Sequence, residues 1–129
     1  KICSGMNLLI AEDNELNYEV ISELLKMHGI TCEHASDGSI CVEMLKNSKK
    51  HTYDAILMDM QMPVMNGLYA TTAIRNMNSS EAHTIPIIAM TANAFKEDIE
   101  KCLNAGMNKY LSKPVDIFKL LKVLSEFRN

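Results

Sequence analysis

Short, fully apolar runs alternate with helical periodicities along the whole chain, and this alternation constrains the fold more than any other feature. Strand-like runs are predicted over residues 7–11, 31–35, 55–58, 85–90 and 109–111. Between and after them, helical spacing of apolar residues predicts helices over 15–28, 39–48, 68–77, 95–106 and 116–128. Strands that are apolar on both faces indicate a parallel sheet covered by helices on both sides.

The predicted order is a βα unit repeated five times, which leaves few topologies open. Because crossovers between parallel strands are right-handed, we expect a single doubly wound, flavodoxin-like α/β domain with strand order 2-1-3-4-5. Residues 7–129 are assigned to this domain, and residues 1–6 are predicted to be a linker or cloning remnant. Two local expectations are that Gly29 ends the first helix and that Pro86 lies near the start of its strand.

The overall composition excludes several classes of protein. The 129 residues are 47% hydrophobic and 22% charged, which suits one globular core and does not suit a disordered acidic tail. Thirteen basic and sixteen acidic residues give a formal charge of −3, so the bulk surface lacks the positive surplus of a nucleic-acid binder. No apolar run approaches ~20 residues, so no segment is predicted to contact or span a membrane.

The cysteines and histidines show no metal-ligand spacing. The four cysteines lie far apart, and three of them fall in apolar patterns, which predicts buried free thiols: Cys32, Cys41 and Cys102. Free thiols are typical of a reducing compartment, so we expect a cytoplasmic domain, even where a parent chain carries a membrane anchor. The histidines are scattered along the chain at His28, His34, His51 and His83.

Charged and polar side chains follow the predicted strands at their carboxyl ends. Glu12 and Asp13 follow the first strand, and Asp59 follows the third. Thr91 follows the fourth strand, and Lys113 follows the fifth. In open parallel sheets ligands bind beyond these ends, where the strand order reverses. We therefore expect three carboxylates, one hydroxyl and one ammonium at the same edge of the sheet.

The chemistry expected at this edge follows from its charges. Three neighbouring carboxylates ionise together only beside a cation, and their oxygens suit a hard divalent ion, Mg²⁺ or Mn²⁺. The ammonium of Lys113 and the hydroxyl of Thr91 match the charge and the acceptors of a phosphoryl group. One carboxylate then remains as a nucleophile that can form an aspartyl-phosphate, and Asp59 is the best candidate.

Four segments resemble the response-regulator receiver domain. They comprise residues 10–14 (IAEDN), 56–67 (ILMDMQMPVMNG), 89–94 (AMTANA) and 110–114 (YLSKP), in the order of the family. The resemblance covers roughly residues 7–128, and the four motifs together are highly specific. The EDN start and the DMQMP loop are most similar to receivers carried by hybrid sensor histidine kinases.

The resemblance implies roles in phosphorylation for several residues. Asp59 would accept the phosphoryl group of a phosphohistidine, while Lys113 pairs with its oxygens and Thr91 hydrogen-bonds to one of them. Thr91 would swing inward on phosphorylation, and Tyr110, at the aromatic switch position, would follow it. The Lys113–Pro114 peptide bond is commonly cis in the family.

The resemblance also implies a metal site and two residues that tune hydrolysis. Asp13 and Asp59 would bind the metal ion directly, Glu12 through water, and Gln61 through its backbone carbonyl. Gln61 and Asn93 match positions that control how fast water attacks the acyl phosphate.

The partner implied is a histidine kinase's phosphohistidine domain or a histidine-phosphotransfer protein. A homodimer is a further expectation, formed through the face that carries Thr91 and Tyr110, here called the switch face. Such a domain catalyses its own phosphorylation and dephosphorylation but is no stand-alone enzyme; the parent of a hybrid-kinase receiver would be a histidine kinase. The alternatives are a stand-alone response regulator, a pseudo-receiver that docks without phosphorylation, and an aspartyl-phosphate phosphatase. The phosphatase is disfavoured because it usually needs a general acid at position 61, which is Gln61.

Overall fold

The computed structural model describes residues 3–92 and 95–127 and contains one parallel sheet. Its five strands are β1 (Asn7–Ala11), β2 (Thr31–Ala35), β3 (Ala55–Asp59), β4 (Ile87–Thr91) and β5 (Lys109–Ser112). They are ordered β2-β1-β3-β4-β5, which confirms the predicted topology. The strand order therefore reverses between the neighbouring strands β1 and β3, because the connection after β1 leads to β2 on one side and the connection after β3 leads to β4 on the other.

Helices cover both faces of the sheet, as expected for strands that are apolar on both sides. The described helices are α1 (Glu15–Lys26), α2 (Gly38–Lys46), α3 (Gly67–Arg75), α4 (Ser80–Thr84), α5 (Lys96–Ala105) and α6 (Ile117–Ser125). Helices α1 and α6 pack on one face, and α2 to α5 pack on the other. The fold is thus the doubly wound one predicted from the alternating pattern.

Alternate residues of each strand supply two separate hydrophobic clusters. In β1, Leu8 and Ile10 point to the face of α1 and α6, whereas Leu9 and Ala11 point to the face of α2 to α5. All four are fully buried. A strand that is buried on both faces is held in register from both sides, so the residue after it is placed reproducibly at the sheet edge.

The structure differs from the sequence predictions at the fourth strand. Strand β4 begins at Ile87 instead of residue 85, because Ile85 ends helix α4 and Pro86 has no N–H to give to the ladder. The carbonyl of Pro86 nevertheless accepts a hydrogen bond of 2.9 Å from the amide of Ile56. Helix α4 itself was not predicted, because its five residues bury only Ala82 and show no readable period.

Polar side chains cap the starts of the helices that flank the sheet edge. Asn14 accepts from the amide of Asn17 at the start of α1, and Asp116 accepts from the amides of Phe118 and Lys119 at the start of α6. Helix α1 ends two residues before the predicted position, at Lys26, and Gly29 lies in the following turn.

The segment before β1 packs against the domain. Cys3 and Met6 are 3% and 2% exposed and belong to the cluster under α1 and α6. The suggestion that residues 1–6 come from a linker or a cloning remnant concerns their origin and stays a prediction. None of the four cysteines forms a disulfide within the described residues. Two of the three expected to be buried are so, Cys41 and Cys102, whereas Cys32 is half-buried. No helix in residues 3–92 and 95–127 is both long and apolar enough to cross a bilayer.

One buried hydroxyl offers a test of the packing under α3. Thr71 is fully buried, and its Oγ1 has no hydrogen-bond partner among the described residues. Replacing it with the isosteric valine removes the cost of this unsatisfied group, so Thr71→Val should raise the free energy of unfolding by about 1 kcal/mol in urea titrations. Thr72→Val is the matched control, since Thr72 is exposed and donates to the carbonyl of Leu68. A loss of stability in Thr71→Val alone would contradict the assignment.

Candidate functional site

Three carboxylates meet at the carboxyl edge of the sheet, as the strand ends predicted. Strands β1 and β3 are neighbours, with Ala11 paired to Met58, so Glu12, Asp13 and Asp59 emerge side by side. One oxygen from each of the three carboxylates lies within 4.8 Å of the others. Residues far apart in the chain are thereby brought to one point by the register of two adjacent strands.

The three acids differ in how they meet solvent. Glu12 and Asp59 are 2% and 1% exposed, whereas Asp13 is open to solvent. Backbone amides hold both buried groups: Gln61 donates to Asp59 Oδ1 at 3.0 Å, and Asn14 donates to Glu12 Oε2 at 3.1 Å. The site therefore combines two fixed, buried carboxylates with one that faces the solvent.

Lys113 supplies the positive charge at this edge. Its Nζ lies 2.8 Å from Oδ2 of Asp59, and its side chain is 29% exposed. The residue follows β5, and its amide donates to the carbonyl of Thr91 at 2.8 Å. The Lys113–Pro114 peptide bond is cis. The ammonium thus reaches the buried acid of the central strand from two strands away.

Burial perturbs the protonation of Glu12. Its pKa is raised from 4.5 to about 7, and removal from water is the largest cause. The negative charge of Asp59 contributes to the rise, whereas the hydrogen bond from the amide of Asn14 and the charge of Lys113 oppose it. A carboxyl with this pKa in a cluster of acids is a group that a neighbouring cation would ionise.

The donor set fits a hard divalent cation. Each of the three carboxylates offers one oxygen as a ligand, and the ammonium of Lys113 provides positive charge beside Asp59. This is the ligand chemistry of Mg²⁺ or Mn²⁺, whereas the nitrogen and sulfur ligands that zinc prefers are not in the cluster of described side chains. Asp13 and Gln61 also line one open cleft of about 490 Å³, so solvent and a ligand can reach the carboxylate of Asp13.

The remaining predicted residues lie near the same edge. Thr91 is the last residue of β4, is 6% exposed and pairs with Ser112. Tyr110 pairs with Ala89, which places it on the same sheet face as Thr91, and it is 40% exposed. Asn93, which the resemblance assigns to the tuning of hydrolysis, lies outside the described residues.

Gly67 lies against the end of β3, and the sequence patterns assign it no role at the site. A Cβ on Gly67 would lie 2.4 Å from the backbone oxygen of Asp59, so a side chain there would displace the end of β3. The amide of Gly67 also donates to the carbonyl of Met60 at 3.3 Å. The Asn-Gly pair after the loop signals a helix start, and Asn66 does cap α3, but the close approach needs the three-dimensional structure.

A 2-1-3-4-5 sheet with three acids and one lysine at its carboxyl edge has the arrangement of a receiver domain. The chain belongs to the response regulator receiver domain family, whose model matches residues 8–125. Receiver domains act in two-component and phosphorelay signalling, and the sequence comparisons relate this one to the receivers of hybrid histidine kinases.

Two curated relatives illustrate the relationship. The hybrid signal transduction histidine kinase I of Dictyostelium discoideum is 42% identical over 120 residues, which is 92% of this chain and 7% of that protein. The osmosensing histidine protein kinase SLN1 of Saccharomyces cerevisiae is 41% identical over 127 residues, covering 96% of this chain and 10% of that protein. The chain therefore spans about a tenth or less of the length of these relatives.

Solved structures agree with the fold. The receiver domain of the sensor histidine kinase PA1611 from Pseudomonas aeruginosa PAO1, with a magnesium ion in its active-site cleft, is 40% identical with a TM-score of 0.84; the match covers 96% of this chain and 98% of that one. A chain from the co-crystal of Saccharomyces cerevisiae Ypd1, a histidine phosphotransfer protein, with the receiver domain of Ssk1 gives the same TM-score of 0.84. It is 31% identical, with 95% of this chain and 88% of that one covered.

The raised pKa of Glu12 predicts how stability depends on pH when a chelator is present. Folding takes up a proton on Glu12 between its unfolded pKa of 4.5 and its folded pKa of about 7, so ionisation costs stability as the pH rises through this window. Glu12→Gln mimics the neutral form and avoids this cost. Its stability relative to wild type should be unchanged below the window and rise above it by at most roughly 3 kcal/mol.

The measurement is urea unfolding at several pH values, with Glu19→Gln, an exposed carboxyl on α1, as the control. A difference between Glu12→Gln and wild type that stays constant across the window would contradict the assignment. So would the same rise in Glu19→Gln.

Proposed function

We propose that the chain is a phosphorelay receiver in which Asp59 accepts a phosphoryl group from a phosphohistidine in a reaction that requires Mg²⁺ or Mn²⁺. The observation that supports this best is the cluster itself: three carboxylate oxygens within 4.8 Å of one another, with Lys113 Nζ at 2.8 Å from Asp59. The carboxylate cluster joins residues that follow β1 to the end of β3, and Lys113 follows β5. Asp59, the last residue of the central strand β3, takes part in both contacts.

The transfer is a displacement at phosphorus. An oxygen of the Asp59 carboxylate forms the new P–O bond, the P–N bond of the phosphohistidine breaks, and the leaving imidazole nitrogen takes up a proton. Asp59 is held by the amide of Gln61 and by Lys113, which fixes the carboxylate before attack. The nucleophile is thus oriented without any movement of β3.

The charges around Asp59 assign the other roles. A divalent cation bound by Asp13 and Asp59, by Glu12 through water and by the Gln61 carbonyl would neutralise the acids and the incoming phosphoryl oxygens. Lys113 would exchange its contact with Asp59 for one with a phosphoryl oxygen, which keeps the ammonium paired throughout. The buried hydroxyl of Thr91 is at the end of the adjacent strand and would donate to another oxygen.

Phosphorylation would be read out through Thr91 and Tyr110. The two residues share one face of the sheet, so an inward movement of Thr91 leaves space that the half-exposed ring of Tyr110 can enter. Such a change shifts an existing equilibrium between two packings of this face. Gln61 and Asn93 would set the rate at which water attacks the acyl phosphate, and a homodimer through the switch face belongs to the same proposal.

The partner would be a histidine-phosphotransfer domain or the phosphohistidine domain of a kinase. Helix α1 begins at the site and exposes an apolar stripe, with Leu16, Val20 and Leu24 being 68%, 52% and 37% exposed. Val20 and Leu24 also line a cleft of about 400 Å³ that reaches Glu12 and Lys113. A partner helix that packs its apolar face in this groove would bring its phosphohistidine to Asp59.

The parent protein would be a hybrid sensor histidine kinase. The relatives at 41–42% identity are such kinases or histidine kinases of much greater length, which supports this origin over a stand-alone response regulator. The receiver itself would lie in the cytoplasm, make no contact with nucleic acid or membrane, and catalyse only its own phosphorylation and dephosphorylation. Its surroundings in the parent would supply the signal.

Labelling with a small acyl-phosphate donor tests the phosphorylation. We expect wild type to gain one phosphoryl group in Mg²⁺, seen as a mass increase, and Asp59→Asn to gain none because the nucleophile is lost. A chelator should abolish labelling of the wild type, since the clustered carboxylates would repel the donor. Asp98→Asn on α5 is the control and should label normally. Labelling that survives in Asp59→Asn would overturn the proposal.

The docking groove is tested separately from the chemistry. The double variant Leu16→Ala, Val20→Ala should weaken phosphotransfer from a phosphorylated histidine-phosphotransfer protein about tenfold, because two exposed apolar anchors are truncated. Labelling by the small donor should be unchanged. Leu103→Ala, which truncates an apolar residue 48% exposed on α5, is the control. Equal losses in both variants would place the docking surface elsewhere.

A further inference from the structure

A histidine outside the four motifs contacts the loop after β1, residues 12–14, here called the acidic loop. His34 lies on β2 in register with Ile10 and is half-buried. Its Nε2 is 2.6 Å from the backbone oxygen of Glu12. Because a carbonyl oxygen can only accept a hydrogen bond, Nε2 carries a proton and donates it to Glu12.

The imidazole of His34 is also fixed in its plane. It stacks on the ring of Tyr18, with 4.1 Å between the ring centroids and 9° between the planes. Tyr18 belongs to the first turn of α1, and its amide donates to the carbonyl of Asn14, the helix cap, at 3.0 Å. The stack therefore links the edge strand β2 to the start of the helix that follows the acidic loop.

The contact acts on the peptide unit that joins Glu12 and Asp13, the two acids that follow β1. The carbonyl of Glu12 and the amide of Asp13 belong to one planar peptide, so fixing the oxygen fixes the direction in which the chain enters Asp13. The amide of Glu12 is already tied to the carbonyl of Ala35 at 3.0 Å, and the Glu12 carboxylate accepts from Asn14. His34 completes the set of hydrogen bonds that hold this loop on the β2 side.

We propose that His34, held by the stack on Tyr18, is a positioning residue that orients Glu12 and Asp13 for cation binding. The inference rests on the proposed function, because it assigns these acids to the metal site. His34 itself contacts neither the cation nor the phosphoryl group. Loss of a group that orients a metal ligand in this way commonly lowers metal affinity by roughly 10–100-fold.

Two substitutions separate the hydrogen bond from the packing. His34→Phe keeps an aromatic ring for the stack but removes the donor, whereas His34→Gln keeps an N–H donor and loses the ring. We expect His34→Phe to weaken Mg²⁺ binding about tenfold in calorimetric titrations of the metal alone, and His34→Gln to recover most of that loss. Unchanged affinity in His34→Phe would overturn the proposal.

A measurement on the metal-free protein tests the positioning itself. The amide of Asn14 donates to the Glu12 carboxylate, so a loosened loop should exchange this hydrogen faster with water. NMR should show about tenfold faster exchange at Asn14 in His34→Phe than in wild type. Tyr18→Leu, which removes the stacking partner and leaves the donor in place, should show a smaller change in the same direction. Exchange at Asn14 that is the same in all three proteins would overturn the proposal.

A general loss of stability is distinguished by a packing variant far from the site. Ile74→Val on α3 removes one buried methyl group and should cost stability without changing Mg²⁺ affinity or exchange at Asn14. Changes in Ile74→Val equal to those in His34→Phe would overturn the positioning role. If wild type itself binds no Mg²⁺, the proposed function fails, and the exchange at Asn14 still decides whether His34 orients the loop.

Discussion

The site depends on the burial of two carboxylates that the fold places side by side. Glu12 and Asp59 are almost fully buried at the ends of adjacent strands, and Lys113 pairs with only one of them. Burial and the neighbouring charge together keep Glu12 readily protonated in the metal-free protein. A bound cation would offset the negative charges of these carboxylates. The stability of the domain, the protonation of Glu12 and the affinity for the cation would therefore depend on the same cluster.

The sheet and the gathering of the site could be predicted because both follow from periodicity. Runs that are apolar on both faces require a covered parallel sheet, and its carboxyl edge must collect whatever follows each strand. Strand order alone predicts that Glu12, Asp59 and Lys113 lie together, and the structure brings them together. The topology implies that these residues lie close together, and the resemblance of the four motifs adds a role for each of them.

Features that depend on side-chain geometry between distant segments could not be predicted. Helix α4 is too short to show a period, and the approach of Gly67 to the backbone of Asp59 has no signature in a single sequence. The stack of His34 on Tyr18 joins residues with unremarkable neighbours, and only the register of β2 against β1 brings the ring to Glu12. Such contacts refine a site that strand order has already placed.

The sheet separates the hydrophobic core into two faces, and this separation bears on where a donor would bind and where the response would arise. The apolar stripe of α1 lies on the face shared with α6, whereas Thr91 and Tyr110 lie on the face covered by α2 to α5. Asp59 lies at the carboxyl edge of the sheet, between the two faces. In the proposed mechanism the donor would bind on one side of the sheet and the response would arise on the other, so a donor that is still bound would leave the responding face open.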